Sequence, residues 1–92
     1  MTSTADSFVT TTRDEIAALD VRLLATINAR IRKVAELRRY KDEHGIAFVD
    51  PEREAWLVGY LKGENEGPLS DEGVEELITF VLDLAKREVA RG

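Results

Sequence analysis

The chain has 92 residues, 43% apolar and 34% charged, with a net charge of −5. That describes one small domain, and its acidity argues against general binding to nucleic acid or to an anionic membrane. With no cysteine and one histidine, it has no disulfide framework or thiolate metal site, and a His-based metal site is not expected.

Residues 1–11 lie in MTSTADSFVTTT, which lacks the basic start and apolar core of a secretory signal; they read as a disordered tail. No apolar run approaches the ~20 residues of a spanning helix, so a cytoplasmic protein is expected. TRDE at 12–15 fits a capping box, with Thr12 on the first free amides and Glu15 reaching back. From there to Glu43 neither proline nor glycine interrupts the chain. Ile16, Leu19, Leu23, Ile27, Val34 and Leu37 recur at the three-and-four spacing of one helical face. Gly45 suits a left-handed helix stop. FVDPERE at 48–54 reads as a turn into a second helix, with Asp50 as N-cap and Pro51 at the first helical position. Trp56, Leu57, Tyr60 and Leu61 form that helix's apolar side. GENEGPLSDE then breaks it, and Ser70 caps a third helix whose stripe is Val74, Leu77, Ile78, Val81, Leu82, Ala85 and Val89.

The expected fold is therefore all-α, with one long helix and two shorter ones. A helix of about 31 residues is roughly 46 Å long, whereas a compact chain of this length is roughly 30 Å across. The first helix should overhang its own globule with its stripe uncovered at the far end. An intertwined homodimer, the long helices side by side, is the expected remedy.

The stretch RIRKVAELRRYK, residues 30–41, puts cations inside that stripe. At 100° per residue, Leu23, Arg30, Val34 and Lys41 fall within about 40° of one another, in the middle of the apolar face. Arg22, Arg32, Lys33, Glu36 and Arg39 lie on the opposite side as ordinary solvated surface, and Arg38 on the rim. An unpaired charge in a core costs several kcal/mol, so seam cations need an anionic partner. A structural salt bridge, or side chains snorkelling to water, is the plainer reading. The second helix repeats the arrangement, however. Arg53 projects on the side of Leu57 and Tyr60, with Asp50 and Glu54 beside it. Cations converging on one interior suit a small dicarboxylate. Nucleic acid would want them outside. Arg13 lies about 42 Å along the axis from Lys41 and cannot share a site with it inside one subunit. In an antiparallel dimer the start of one long helix can reach the middle of the other.

TRDEIAALDVRLLATINARIRKVAELRRYK, then VDPERE, then NEGPLS resembles the all-α (type II) chorismate mutases, over about residues 12–89. The most specific parts are R-x-x-I-x-x-L-D at Arg13–Asp20, Arg30 with Lys41, and D-P-x-R-E at Asp50–Glu54. The resemblance makes residues 12–92 one mutase-like helical domain. It implies an intertwined three-helix dimer with two active sites, each built from both chains, converting chorismate to prephenate on the route to phenylalanine and tyrosine. It further implies that Arg13 of the partner and Arg30 meet the substrate's carboxylates. Lys41 would contact a carboxylate and the breaking ether oxygen, Asp50 and Glu54 would sit near the ring hydroxyl, and Arg53 would line the carboxylate end.

Such a rearrangement is unimolecular and needs no cofactor, metal or nucleophile. One departure stands out. The family's third helix carries a serine and, one turn later, a glutamine that bonds the ether oxygen; Ala85 and Val89 take those places here. That leaves open an isochorismate–pyruvate lyase or aminodeoxychorismate mutase on the same scaffold. A weakly active module working through a shikimate-pathway synthase is a more distant alternative, since such a module should lack the cation set that Arg13, Arg30, Lys41 and Arg53 keep here.

Overall fold

A computed structural model describes residues 4–92. It contains three helices in chain order: α1, Thr4–Glu43; α2, Pro51–Glu64; and α3, Asp71–Arg91. The fold is all-α, and α3 packs on both α1 and α2.

The helix limits follow local chemistry. At the end of α1, the Ile46 amide donates to the Lys41 carbonyl at 2.8 Å and Gly45 takes φ 67°, the left-handed turn that closes a Schellman stop. Asp50 caps α2, its Oδ1 accepting from the Arg53 amide at 3.1 Å, with Pro51 at the first helical position. Ser70 caps α3, its Oγ accepting from the Gly73 amide at 3.0 Å. Lys62 of α2 and Glu75 of α3 join at 2.8 Å across the two helices. That hydrogen bond, and then the charges, hold the Glu75 carboxyl below the usual carboxylate range and the Lys62 ammonium above its own.

The start of α1 differs from expectation. The helix begins at Thr4, so Thr12 is an interior residue rather than the N-cap, and residues 4–11 form its first turns. The first three residues of the expected tail lie outside the described region. No proline or glycine between 4 and 12 stops the helix from running back. Phe8 and Val9 also extend the Ile16–Leu19 stripe at helical spacing.

The molecule is far from spherical. Its radius of gyration is 18.0 Å and its extents are 65 × 29 × 16 Å, against about 12 Å for the radius of gyration of a compact chain this long. The 40-residue α1 accounts for this, at roughly 60 Å. Among the described residues only Val74, Val81 and Ala85, all on α3, are buried. The stripe of α1 stands in solvent: Leu19 is 57%, Leu23 56% and Phe8 70% exposed. Among the described residues, no helix is long and apolar enough to cross a membrane.

Candidate active site

The cations of the stripe face inward. Arg30, Val34, Leu37 and Lys41 of α1 form one wall of a cavity of about 270 Å³. The linker and the first turns of α2 form the second wall with Phe48, Asp50, Arg53, Glu54 and Leu57, and Leu82 and Ala85 of α3 form the floor. Five of the six residues expected at the site thus meet in one concavity, from α1, the linker and α2. Arg13 is absent from it. It is an exposed residue of α1, 17 positions before Arg30, which is about 26 Å along the axis.

Arg30 is the most informative of the five. Its Nη1 is buried and has no hydrogen-bond partner. Among the described residues neither Arg30 nor Lys41 has a carboxylate within ion-pair distance. A buried donor on a cation is costly when nothing accepts from it, and within the single chain no salt bridge supplies the acceptor. Snorkelling fails for the same atom. An acceptor within reach of Nη1 would satisfy that donor.

Lys41 is aimed by the chain that follows it. The Schellman stop folds residues 44–48 back along α1, and Lys41 Nζ donates to the Phe48 carbonyl at 3.2 Å. An ammonium has three hydrogens, so two remain for a ligand. The lysine is therefore oriented without being neutralised.

The α2 residues are held in other ways. Asp50 spends one carboxylate oxygen on the cap and keeps the other as an acceptor. Arg53 lies at the rim with its guanidinium 3.7 Å from the centre of the Trp56 ring, a cation–π contact that leaves its edge donors available. Trp56 in turn stacks on Tyr60, ring centres 4.8 Å apart. Glu54 forms an ion pair with Lys86 of α3. Arg38, on the rim, covers Phe48 from outside, 5.3 Å above its ring.

On α3, Ala85 is buried in the floor of the cavity. Val89 does not line it; it sits by Ala35, Arg38 and Asp42 on the flank of α1. Neither position offers a hydrogen bond to the cavity. A larger concavity, of about 630 Å³, lies along α3 between Glu72, Glu75, Glu76, Thr79, Phe80 and Asp83. Four carboxylates there would repel an anion.

Two site features went unread in the sequence. The Phe48 carbonyl contact depends on how the linker folds back, and Lys86 meets Glu54 across 32 positions of chain. No spacing rule signals either.

Fold and cavity together define a class: an all-α domain with inward-facing cations around a small-molecule pocket. Comparison with known proteins narrows it. The family model for chorismate mutase type II matches residues 12–89, and the chain belongs to that family. The bifunctional chorismate mutase/prephenate dehydratases of Pseudomonas aeruginosa and Stutzerimonas stutzeri are each 33% identical, with 76% of this chain aligned to 20% of theirs. The chain thus spans about a fifth of the length of these relatives. Among solved structures, chorismate mutase from Thermus thermophilus (Form II) superposes with a TM-score of 0.86 at 29% identity, covering 90% of this chain and 94% of that one. Form I from the same organism gives 0.82 at 30% identity, covering 84% and 96%.

Proposed function

We propose that the protein is a chorismate mutase that rearranges chorismate to prephenate for phenylalanine and tyrosine synthesis, working as a cytoplasmic homodimer. The observation that carries this reading is the buried, unpartnered Nη1 of Arg30 in a cavity that also holds Lys41.

The chemistry asks little beyond what these residues supply. In a Claisen-type rearrangement one carbon–oxygen bond breaks as one carbon–carbon bond forms within the same molecule. The protein's tasks are to fold the enolpyruvyl arm over the ring and to stabilise charge growing on the ether oxygen. Arg30 grips one carboxylate in a bidentate fork, which selects the reactive conformer. Arg53 lines the carboxylate end from the rim. Lys41 contacts a carboxylate and the ether oxygen through its two free hydrogens. Only contacts that strengthen on the way to the transition state raise the rate, and the Lys41 contact is of that kind. The free oxygen of Asp50, with Glu54, faces the ring hydroxyl.

Arg13 enters this scheme from the second subunit. The exposed seam from Phe8 to Leu37 is the surface on which the two long helices meet, and an antiparallel pairing carries Arg13 of one copy toward the cavity of the other. The open side of the cavity is then closed by the partner. The volume, just under the ~300 Å³ of an ordinary small-molecule site, suits a pocket still lacking one wall.

A second reading has one observation in its favour, the apolar α3 wall at Leu82 and Ala85, which gives no donor to the ether oxygen. A related dianion would then be the substrate, as for an isochorismate–pyruvate lyase or an aminodeoxychorismate mutase. Alternatively the mutase is slow alone and a shikimate-pathway synthase raises its rate. Incubation with chorismate, isochorismate and aminodeoxychorismate in parallel, with products separated by chromatography, decides among the substrates. Conversion of chorismate to prephenate is the expected result; consumption of only one of the other two would sink the mutase reading. Repeating the chorismate assay with the synthase tests the partner.

A further inference from the structure

We propose that Trp56 is a positioning residue that holds the Arg53 guanidinium by its face at the cavity mouth, leaving its edge free to grip a substrate carboxylate. The proposal rests on the dicarboxylate reading of the pocket for its ligand, and on the geometry of α2 for the rest.

Arg53 is the site cation with the least support from the cavity itself. It is an exposed residue at the rim, and among the described residues its guanidinium makes no ion pair and no hydrogen bond. A loose arginine samples many rotamers, and closing on a ligand means giving them up. A carboxylate beside it would hold it still but would also take up the donors that the ligand needs. The acids that share its cavity make other contacts: Asp50 accepts from the Arg53 backbone amide, and Glu54 pairs with Lys86.

The indole holds Arg53 without that cost. The guanidinium carbon stands 3.7 Å from the centre of the Trp56 ring. A π face attracts the cation across the plane of the group, whereas the five N–H donors all lie in that plane. Stacking and carboxylate binding thus use different parts of the same side chain. Tyr60 fixes the indole in turn, its ring 4.8 Å away with 10° between the planes. Spacings of three and four place Arg53, Trp56 and Tyr60 in one row along α2. Trp56 is 48% and Tyr60 49% exposed, so the row is no part of the chain's core, although periodicity alone groups both rings with Leu57 and Leu61. Trp56 does not line the cavity, so within the chain it reaches a ligand through Arg53.

Trp56→Leu should raise KM about three- to fivefold for whichever of chorismate, isochorismate and aminodeoxychorismate the protein consumes, with kcat nearly unchanged. Trp56→Phe, which keeps a ring face, should recover most of the loss. Arg53→Met should raise KM further than Trp56→Leu, because the carboxylate contact itself is gone, and adding Trp56→Leu to it should change nothing more. Three outcomes overturn the proposal. A KM less than twofold above wild type in Trp56→Leu would make the stack irrelevant to binding. The same rise in the Arg53→Met background would mean that Trp56 acts independently of Arg53. Equal penalties for Trp56→Leu and Arg53→Met would make the pair a brace of α2 with no contact to ligand.

A second measurement needs no turnover. In the substrate-free protein the ring current of the indole should push the Arg53 side-chain N–H protons upfield in the NMR spectrum, and Trp56→Leu should return them downfield. No movement refutes the stack. If the wild type consumes none of the three dianions, the functional reading fails, and the NMR comparison still decides whether Trp56 holds Arg53.

Discussion

Arg30 and Lys41 stand eleven residues apart on one helix and face the same cavity, yet among the described residues neither meets a carboxylate. Three turns of α-helix bring them to nearly the same azimuth. Both therefore form a matched pair of unneutralised donors, one buried and vacant, the other aimed by a backbone carbonyl.

Lys41→Met should abolish turnover and leave the melting temperature equal or higher. A thioether replaces a half-buried charge, which removes a desolvation cost. One well-aimed donor in a dry site is worth about 3–4 kcal/mol, hence a loss of about 10²–10³ in kcat. Calorimetry beside the chorismate assay checks both halves. A collapse of the fold would make Lys41 structural.

Mixing inactive Arg13→Ala with inactive Lys41→Ala protein, unfolded and refolded together, should recover activity. In a heterodimer one of the two sites would contain both wild-type residues, so a random mixture approaches about a quarter of wild-type turnover. Zero recovery across a range of mixing ratios would place Arg13 outside the site.

Leu23→Asp should give a monomer of low helix content. Leu23 is 56% exposed in the single chain, at the centre of the seam, and a charge there would be buried between two long helices at a cost of several kcal/mol. Sedimentation would show loss of the dimer, and the wild-type melting temperature should rise with protein concentration. A Leu23→Asp protein that stays dimeric and fully helical would put the interface on another face.

The Lys62–Glu75 bridge makes a testable pH dependence. Glu75 has a lowered pKa in the folded state, so its contribution is full above its unfolded value and is lost as pH falls through the lowered one. Lys62 has a raised one, so its share is full at neutral pH and lost only as pH climbs through the alkaline range. Glu75→Gln should therefore lower the melting temperature slightly at about pH 7 and not at about pH 2. Salt should shrink the difference, because the pair is in water.

Most of the helical plan was legible because its signals are local. Gly45, Asp50 with Pro51, and Ser70 each act within four residues, and all three mark helix limits in the structure. The start of α1 was missed for a related reason. TRDE has the form of a capping box, but a box is a permission to start, and residues 4–11 contain nothing that forbids helix. The cationic stripe could be read because α-helical periodicity turns sequence spacing into direction. Lys86 could not. Its pairing with Glu54 depends on which face of α3 meets α2, a packing relation between distant segments with no counterpart in local pattern.

The turn at Gly45 carries a consequence for a residue it never touches. It adopts φ 67°, and a β-carbon there would meet no atom within 4 Å, so crowding does not protect the position; backbone handedness does. Any other residue would resist that twist by about 1 kcal/mol. The carbonyl of Phe48 would then drift from the ammonium it steadies. A glycine, with no side chain of its own, thus sets the pointing accuracy of an ammonium in the pocket.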